Sequence, residues 1–160
     1  MPDFQKGQYM SKIILASKSP RRIELLKMCN INFNSLVADI DEDLIKSDTL
    51  ATFKEENTFE QAEILTKKLA YEKALYIYKE NPDHLVIGSD ALVVTDKSIL
   101  GKPKDPQDAY IMLRELSGQV HRVYTGVSII GPGYEDTFVS IAQVKFYDFD
   151  PAMDQIIIDY

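Results

Sequence analysis

Residues 14–26, "ILASKSPRRIELL", combine side chains that suit an anion. An apolar, strand-like run reaches Ser17. Ser19 stands where a helix N-cap is expected, and Pro20 suits the first helical position, where its missing N–H is not needed. Arg21 and Arg22 then occupy a first turn that normally favours acids, each opposing the helix dipole by about 0.3–1 kcal/mol. A bound anion reverses the sign of that term. Backbone N–H groups, two guanidinium forks and the hydroxyls of Ser17 and Ser19 would all serve it. The plainer alternative is two solvated arginines that pair with Glu24 or a distant acid.

Three further stretches carry candidate chemistry. In "GSDALVV", Asp90 is a carboxylate inside an apolar strand, which is costly unless it meets a metal, a lysine or a water to act on. A turn aspartate capping a loop is the competing reading. In "LGKPKD", Lys102 sits between Gly101 and Pro103, a constrained backbone that can aim an ammonium at phosphate; taken alone, it reads as a solvated loop lysine. In "YEKA", Lys73 lies in a mostly apolar part of a long helix, where a lysine can also snorkel to solvent. Glu42 belongs to the acid-rich "DIDEDL", where most acids are merely solvated and a few can ligate Mg²⁺. His84 and His121 read as ordinary edge residues near strand starts, and Cys29 reads as core. No GxxxxGK[ST] or GxGxxG motif occurs.

These residues must be held by some scaffold. Residues 1–11 read as a flexible leader and 12–160 as one domain. Strands are expected at 12–17 and 31–40, with a helix over 20–30 between them. Residues 41–57 read as loop or ragged helix. A strong helix spans 58–80, capped by Thr58 and stopped by "NPD". "HLVIGSDALVVTD" suggests a central buried strand with a break at Gly88-Ser89-Asp90. A helix over 106–116 precedes two long strands joined through Gly131-Pro132-Gly133, and another helix is expected from Asp150. Early alternation followed by clustered strands predicts an α/β fold, a mixed twisted sheet flanked by helices.

Composition bounds the function. The chain has 160 residues, 45% hydrophobic and 27% charged, with formal net charge −7. That balance argues against a general nucleic-acid binder but leaves room for a small anion on a local basic cluster. No apolar run approaches the roughly 20 residues of a membrane span. Cys29 is the only cysteine, which excludes an internal disulfide framework and fits a reducing cytoplasm.

Together, "LASKSPRRIELL", "YEKA", "GSDALVV" and "LGKPKDPQDAYIMLRELSGQVHRVYTGVSI" resemble the Maf family of nucleoside triphosphate pyrophosphatases, in the family's order and spacing. The resemblance implies two lobes with a cleft, as in the inosine triphosphate pyrophosphatases. It implies hydrolysis of a nucleotide to the monophosphate and pyrophosphate, as house-cleaning of nucleotide pools, with Mg²⁺ or Mn²⁺. By position, Ser17, Arg21 and Arg22 match the family's phosphate-binding motif, with Ser19 beside them. Asp90 matches the catalytic base, Lys73 and Lys102 match site lysines, and Glu42 matches an acidic site residue that would share the metal with Asp90.

Members acting on dTTP and UTP resemble "SPRR" and "GADT"; those acting on 7-methyl-GTP resemble "SPWR" and "GSDQ". Here Arg21 follows the first pattern, Ser89 the second, and Ala91, a candidate substrate-binding position, neither. Arg21 favours dTTP and UTP, with 7-methyl-GTP as the alternative. Family members continue some tens of residues further, so the chain reads as C-terminally truncated. That makes a noncatalytic nucleotide-binding regulator of cell division or septum formation the rival from another class. Expected partners are a nucleoside triphosphate and, as an option, a second copy of the chain, with neither nucleic acid nor membrane.

Overall fold

The computed structural model describes residues 12–150. The expected leader and the helix expected beyond Asp150 lie outside that range. In chain order the elements are β1 (Ile13–Ala16), α1 (Pro20–Met28), β2 (Asn34–Leu36), α2 (Glu42–Thr52), α3 (Thr58–Glu80), β3 (Leu85–Val94), β4 (Ile99–Leu100), α4 (Pro106–Leu116), β5 (Val120–Gly131) and β6 (Tyr134–Lys145). They form a six-stranded sheet of order β2-β1-β3-β5-β6, with β4 pairing the end of β3. β1 runs parallel to β2 and β3, whereas β3-β5 and β5-β6 are antiparallel. The sheet is therefore mixed, as the element pattern predicts.

Connectivity places the site. The crossover from β1 through α1 leads to β2, and the crossover through α2 and α3 returns past β1 to β3. Right-handed crossovers running in opposite directions put their helices on opposite faces. The packing agrees. Ile14, Ala16 and Val86 join Ala74 and Ile77 of α3 in one core cluster, while Leu15 and Ile87 share a groove on the other face with Leu25 and Leu26 of α1. The direction of winding reverses at β1. In open α/β sheets the crevice at the carboxyl ends of such strands is where ligands bind.

Local chemistry explains where the elements differ from expectation. Residues 42–52 form a regular helix, because Asp41 caps it through Leu44 N–H at 2.9 Å and Glu42 and Asp43 suit the positive first turn. α3 is capped by Asn57, not Thr58, in a reciprocal capping box with Glu60. β3 is continuous, with no break at Gly88. A Cβ on Gly88 would stand 2.2 Å from the carbonyl oxygen of Ala70, and one on Gly126 2.3 Å from that of Thr66. The glycines are there to admit the backbone of α3, not to turn the strand. The β5–β6 hairpin turns through Pro132 and Gly133, the latter at φ +70°. Cys29 is exposed rather than core, since α1 buries none of its residues. His121 is buried rather than an edge residue, with its ring edge-on to Phe146.

Candidate active site

The carboxyl end of β1 delivers Ser17 directly into the turn before α1. Its hydroxyl oxygen accepts from the Ser19 N–H at 3.1 Å and from Arg22 Nη1 at 3.3 Å, and its carbonyl oxygen accepts from the Ser35 hydroxyl. Ser19 holds the N-cap position, but its side chain makes no capping bond, and no acid stands in the first turn. Among the described residues neither Arg21 nor Arg22 joins an ion pair. The helix start thus keeps its positive end and two uncompensated guanidinium groups.

Across the crevice, α3 passes close over β3 because Gly88 and Gly126 leave room for its backbone. That approach lays Lys73 onto Asp90, with Nζ to Oδ1 at 2.6 Å. The same ammonium reaches Glu42 Oε1 at 3.1 Å, at the first turn of α2. The Lys73 and Asp90 side chains are only 9% and 10% exposed, whereas that of Glu42 is 42% exposed. Lys73 does not snorkel. It supplies the partner that a carboxylate buried in an apolar strand requires.

A cavity of about 460 Å³ joins the two halves, lined by Ser17, Ser19, Arg22, Glu42, Lys73 and Lys102. Asp90 stands behind Lys73 rather than on its wall. Ala16 and Pro20 also line it, as do Lys18, Val37 and Ala38, which went unnoticed in the sequence. The acid-poor "SKS" was the available signal for Lys18. A second groove of about 560 Å³ shares Ser19 and Arg22 with the first and adds Arg21, Ser89, Ala91, Ile87 and Val127. Residue parity along β3 puts Ala91 on the sheet face opposite Asp90. The structure therefore gathers Ser17, Ser19, Arg22, Glu42, Lys73, Asp90 and Lys102, and sets Arg21 and Ala91 in the adjoining groove. A larger cavity of about 600 Å³, beside Phe53, Ile64 and Tyr71, contains none of these residues.

These residues lie on the motifs that carry the family resemblance. Residues 12–160 match the family described as Maf-like protein. The chain belongs to the Maf family. Among curated relatives of this Maf chain, a dTTP/UTP pyrophosphatase of Thermosipho africanus is 44% identical over 135 residues, covering 84% of this chain and 62% of its own length. One from a Geobacillus species is 41% identical over 151 residues, covering 94% and 73%. One from Bacillus cereus is 36% identical over 144 residues, covering 90% and 65%. The chain thus spans about two thirds of these relatives' length. The structure of the Staphylococcus aureus Ham1 protein aligns at TM-score 0.49 and 16% identity, over 82% of this chain and 69% of that one. No helix among the described residues is long and apolar enough to cross a membrane.

The family's divalent cation can be weighed against the donors present. Glu42 and Asp90 are hard oxygen donors that already share one cation, the Lys73 ammonium. No group of three or more potential ligands occurs among the described residues. Two carboxylates fit Mg²⁺ or Mn²⁺ when substrate phosphates complete the shell, as Mg²⁺ generally requires.

Proposed function

We propose that this Maf chain carries the catalytic cavity of a nucleoside triphosphate pyrophosphatase acting on dTTP or UTP. The observation that carries the reading is the single cavity in which the uncompensated α1 start faces Lys73 and Glu42, with Asp90 bonded to Lys73 directly behind the wall. The names of the curated relatives support the substrate class.

The phosphate chain lies against the first turn of α1, where Ser17, Arg22 and the turn's N–H groups donate to its oxygens. Lys18 and Lys102 add positive charge from the cavity walls. The base extends into the adjoining groove beside Arg21 and Ala91, reached past the shared Ser19 and Arg22. Lys73 orients the Asp90 side chain through its 2.6 Å contact, and Asp90 orients a water and takes its proton. The water oxygen bonds to the α-phosphorus as the α–β bridging bond breaks, giving monophosphate and pyrophosphate. Lys102 and Arg22 stabilise charge on the leaving oxygens. A divalent cation, held by Glu42 and Asp90 together with the phosphates, would supply further charge neutralisation.

The test is a panel of dTTP, UTP and 7-methyl-GTP with Mg²⁺ or Mn²⁺, scored for products. Equimolar monophosphate and pyrophosphate, fastest from dTTP or UTP, is expected. Orthophosphate as the product overturns the cleavage site, and nucleotide binding without any product favours the noncatalytic regulator.

A further inference from the structure

Ser35 stands on β2, whose three residues are all exposed, so burial does little to fix that strand. The parallel ladder of β1 and β2 ends at the pair Ala16 and Leu36. Beyond it the chains part. β1 turns into α1 through Ser17, and β2 runs on into Val37 and Ala38. Both arms of this fork line the cavity of about 460 Å³. Among the described residues, one side-chain hydrogen bond ties the arms together: the Ser35 hydroxyl donates to the Ser17 carbonyl oxygen.

The polar groups of Ser17 can be accounted for in full. Its N–H donates to the Leu15 carbonyl at 2.9 Å, a tight turn that takes it out of the ladder. Its carbonyl accepts from Ser35. Its Oγ accepts from the Ser19 N–H at 3.1 Å and from Arg22 Nη1 at 3.3 Å. A serine hydroxyl has two acceptor sites and one hydrogen, so both acceptor sites are filled. What remains is a single O–H on a residue that lines the cavity. That group can only donate. A phosphate oxygen, which can only accept, is its complement; a ligand group that must itself donate is not.

We infer that Ser35 is a positioning residue for phosphate binding: by holding the Ser17 carbonyl at the fork of β1 and β2, it aims the Ser17 O–H at a phosphate oxygen in the cavity. Ser35 lies outside the cavity lining, so it acts through Ser17 and touches no ligand itself. Without the bond, the Ser17 carbonyl turns to water, and the cost falls on the direction of the hydroxyl rather than on the fold. The inference rests on the reading of this cavity as a triphosphate site.

Calorimetric titration of the intact chain with inorganic triphosphate reads the phosphate site apart from the base and the chemistry. Ser35→Ala should raise the dissociation constant about 3- to 10-fold, as loss of one neutral hydrogen bond implies, and should leave Tm nearly unchanged because the residue is exposed. Ser35→Thr keeps the hydroxyl and suits a strand, so it should bind within about twofold of the parent. In a Ser17→Ala background, Ser35→Ala should shift the constant by less than about twofold, because the group it aims is gone. With dTTP, Ser35→Ala should raise KM and leave kcat within about twofold, the mark of binding lost equally from ground and transition states. A parent that binds triphosphate yet releases no pyrophosphate from dTTP overturns the catalytic reading alone, and the calorimetric comparison still decides the role of Ser35. Parental triphosphate binding by Ser35→Ala overturns the inference. So do strictly additive Ser17 and Ser35 effects, or a Ser35→Thr protein as weak as Ser35→Ala. A parent that binds no triphosphate overturns both.

Discussion

Replacing Lys73 with Met isolates the contact on which both stability and the site depend. Lys73 touches Asp90 at 2.6 Å and Glu42 at 3.1 Å, but the two carboxylates stand in different surroundings. Glu42 is 42% exposed and returns to solvent when the ammonium goes, at little cost. The Asp90 side chain is 10% exposed and cannot. Stranding such a charge costs about 3–5 kcal/mol, a large share of a domain's total stability of about 5–15 kcal/mol. Asp90→Asn differs in kind. Lys73 keeps Glu42, and the amide oxygen can still accept, so about 1–2 kcal/mol is expected. Combining the two changes should cost less than their sum by about 1–3 kcal/mol, because the double variant buries no unpaired charge. Urea titrations of the four proteins, compared at constant m-value, measure each term. A Lys73→Met protein within about 0.5 kcal/mol of the parent, or strictly additive changes, would refute a buried Lys73–Asp90 pair.

The remaining expectations are narrower. Arg22→Ala should weaken nucleotide binding about 10- to 100-fold, as loss of a charged hydrogen bond worth about 1.5–3 kcal/mol implies, whereas Arg21→Ala should change binding of inorganic triphosphate less than about threefold; titration calorimetry separates them. Gly88→Ala forces a Cβ to within 2.2 Å of the Ala70 carbonyl oxygen, so thermal melts should show a loss of at least about 2 kcal/mol. Burial pushes the His121 pKa below its usual 6.5, so the folded state favours the neutral ring. The unfolded chain takes up that proton more readily. Stability should hold above pH 6.5 and fall as pH drops below it, and His121→Gln should flatten that slope in denaturation series across pH 5–8.

Much of this architecture can be read from residue patterns alone. Pro20 and Ser19 mark the start of α1, and Pro106 with Gly118 brackets α4, because caps and breakers act locally. What failed did so where tertiary packing overrides a local signal. Gly88 reads as a break in a strand, yet it marks the crossing of a helix that no local pattern reveals. Asp41 and Asn57 cap their helices from stretches that look merely polar. At the site, the need of Asp90 for a partner is legible from burial costs. That the partner is Lys73, seventeen residues earlier on another element, depends on how closely α3 lies on the sheet. That Arg22 borders both cavities while Arg21 lines only the adjoining groove follows from the helical rotation between neighbours, once α1 is docked.

The most direct measurement is paired binding and turnover of dTTP by Asp90→Asn. The carboxylate lies behind Lys73 and off the cavity wall, so substrate affinity should stay within about threefold of the parent. Turnover should fall by about 10²–10⁴, the usual contribution of a positioned base. Parental release of pyrophosphate by this variant, with its fold intact, would contradict the account.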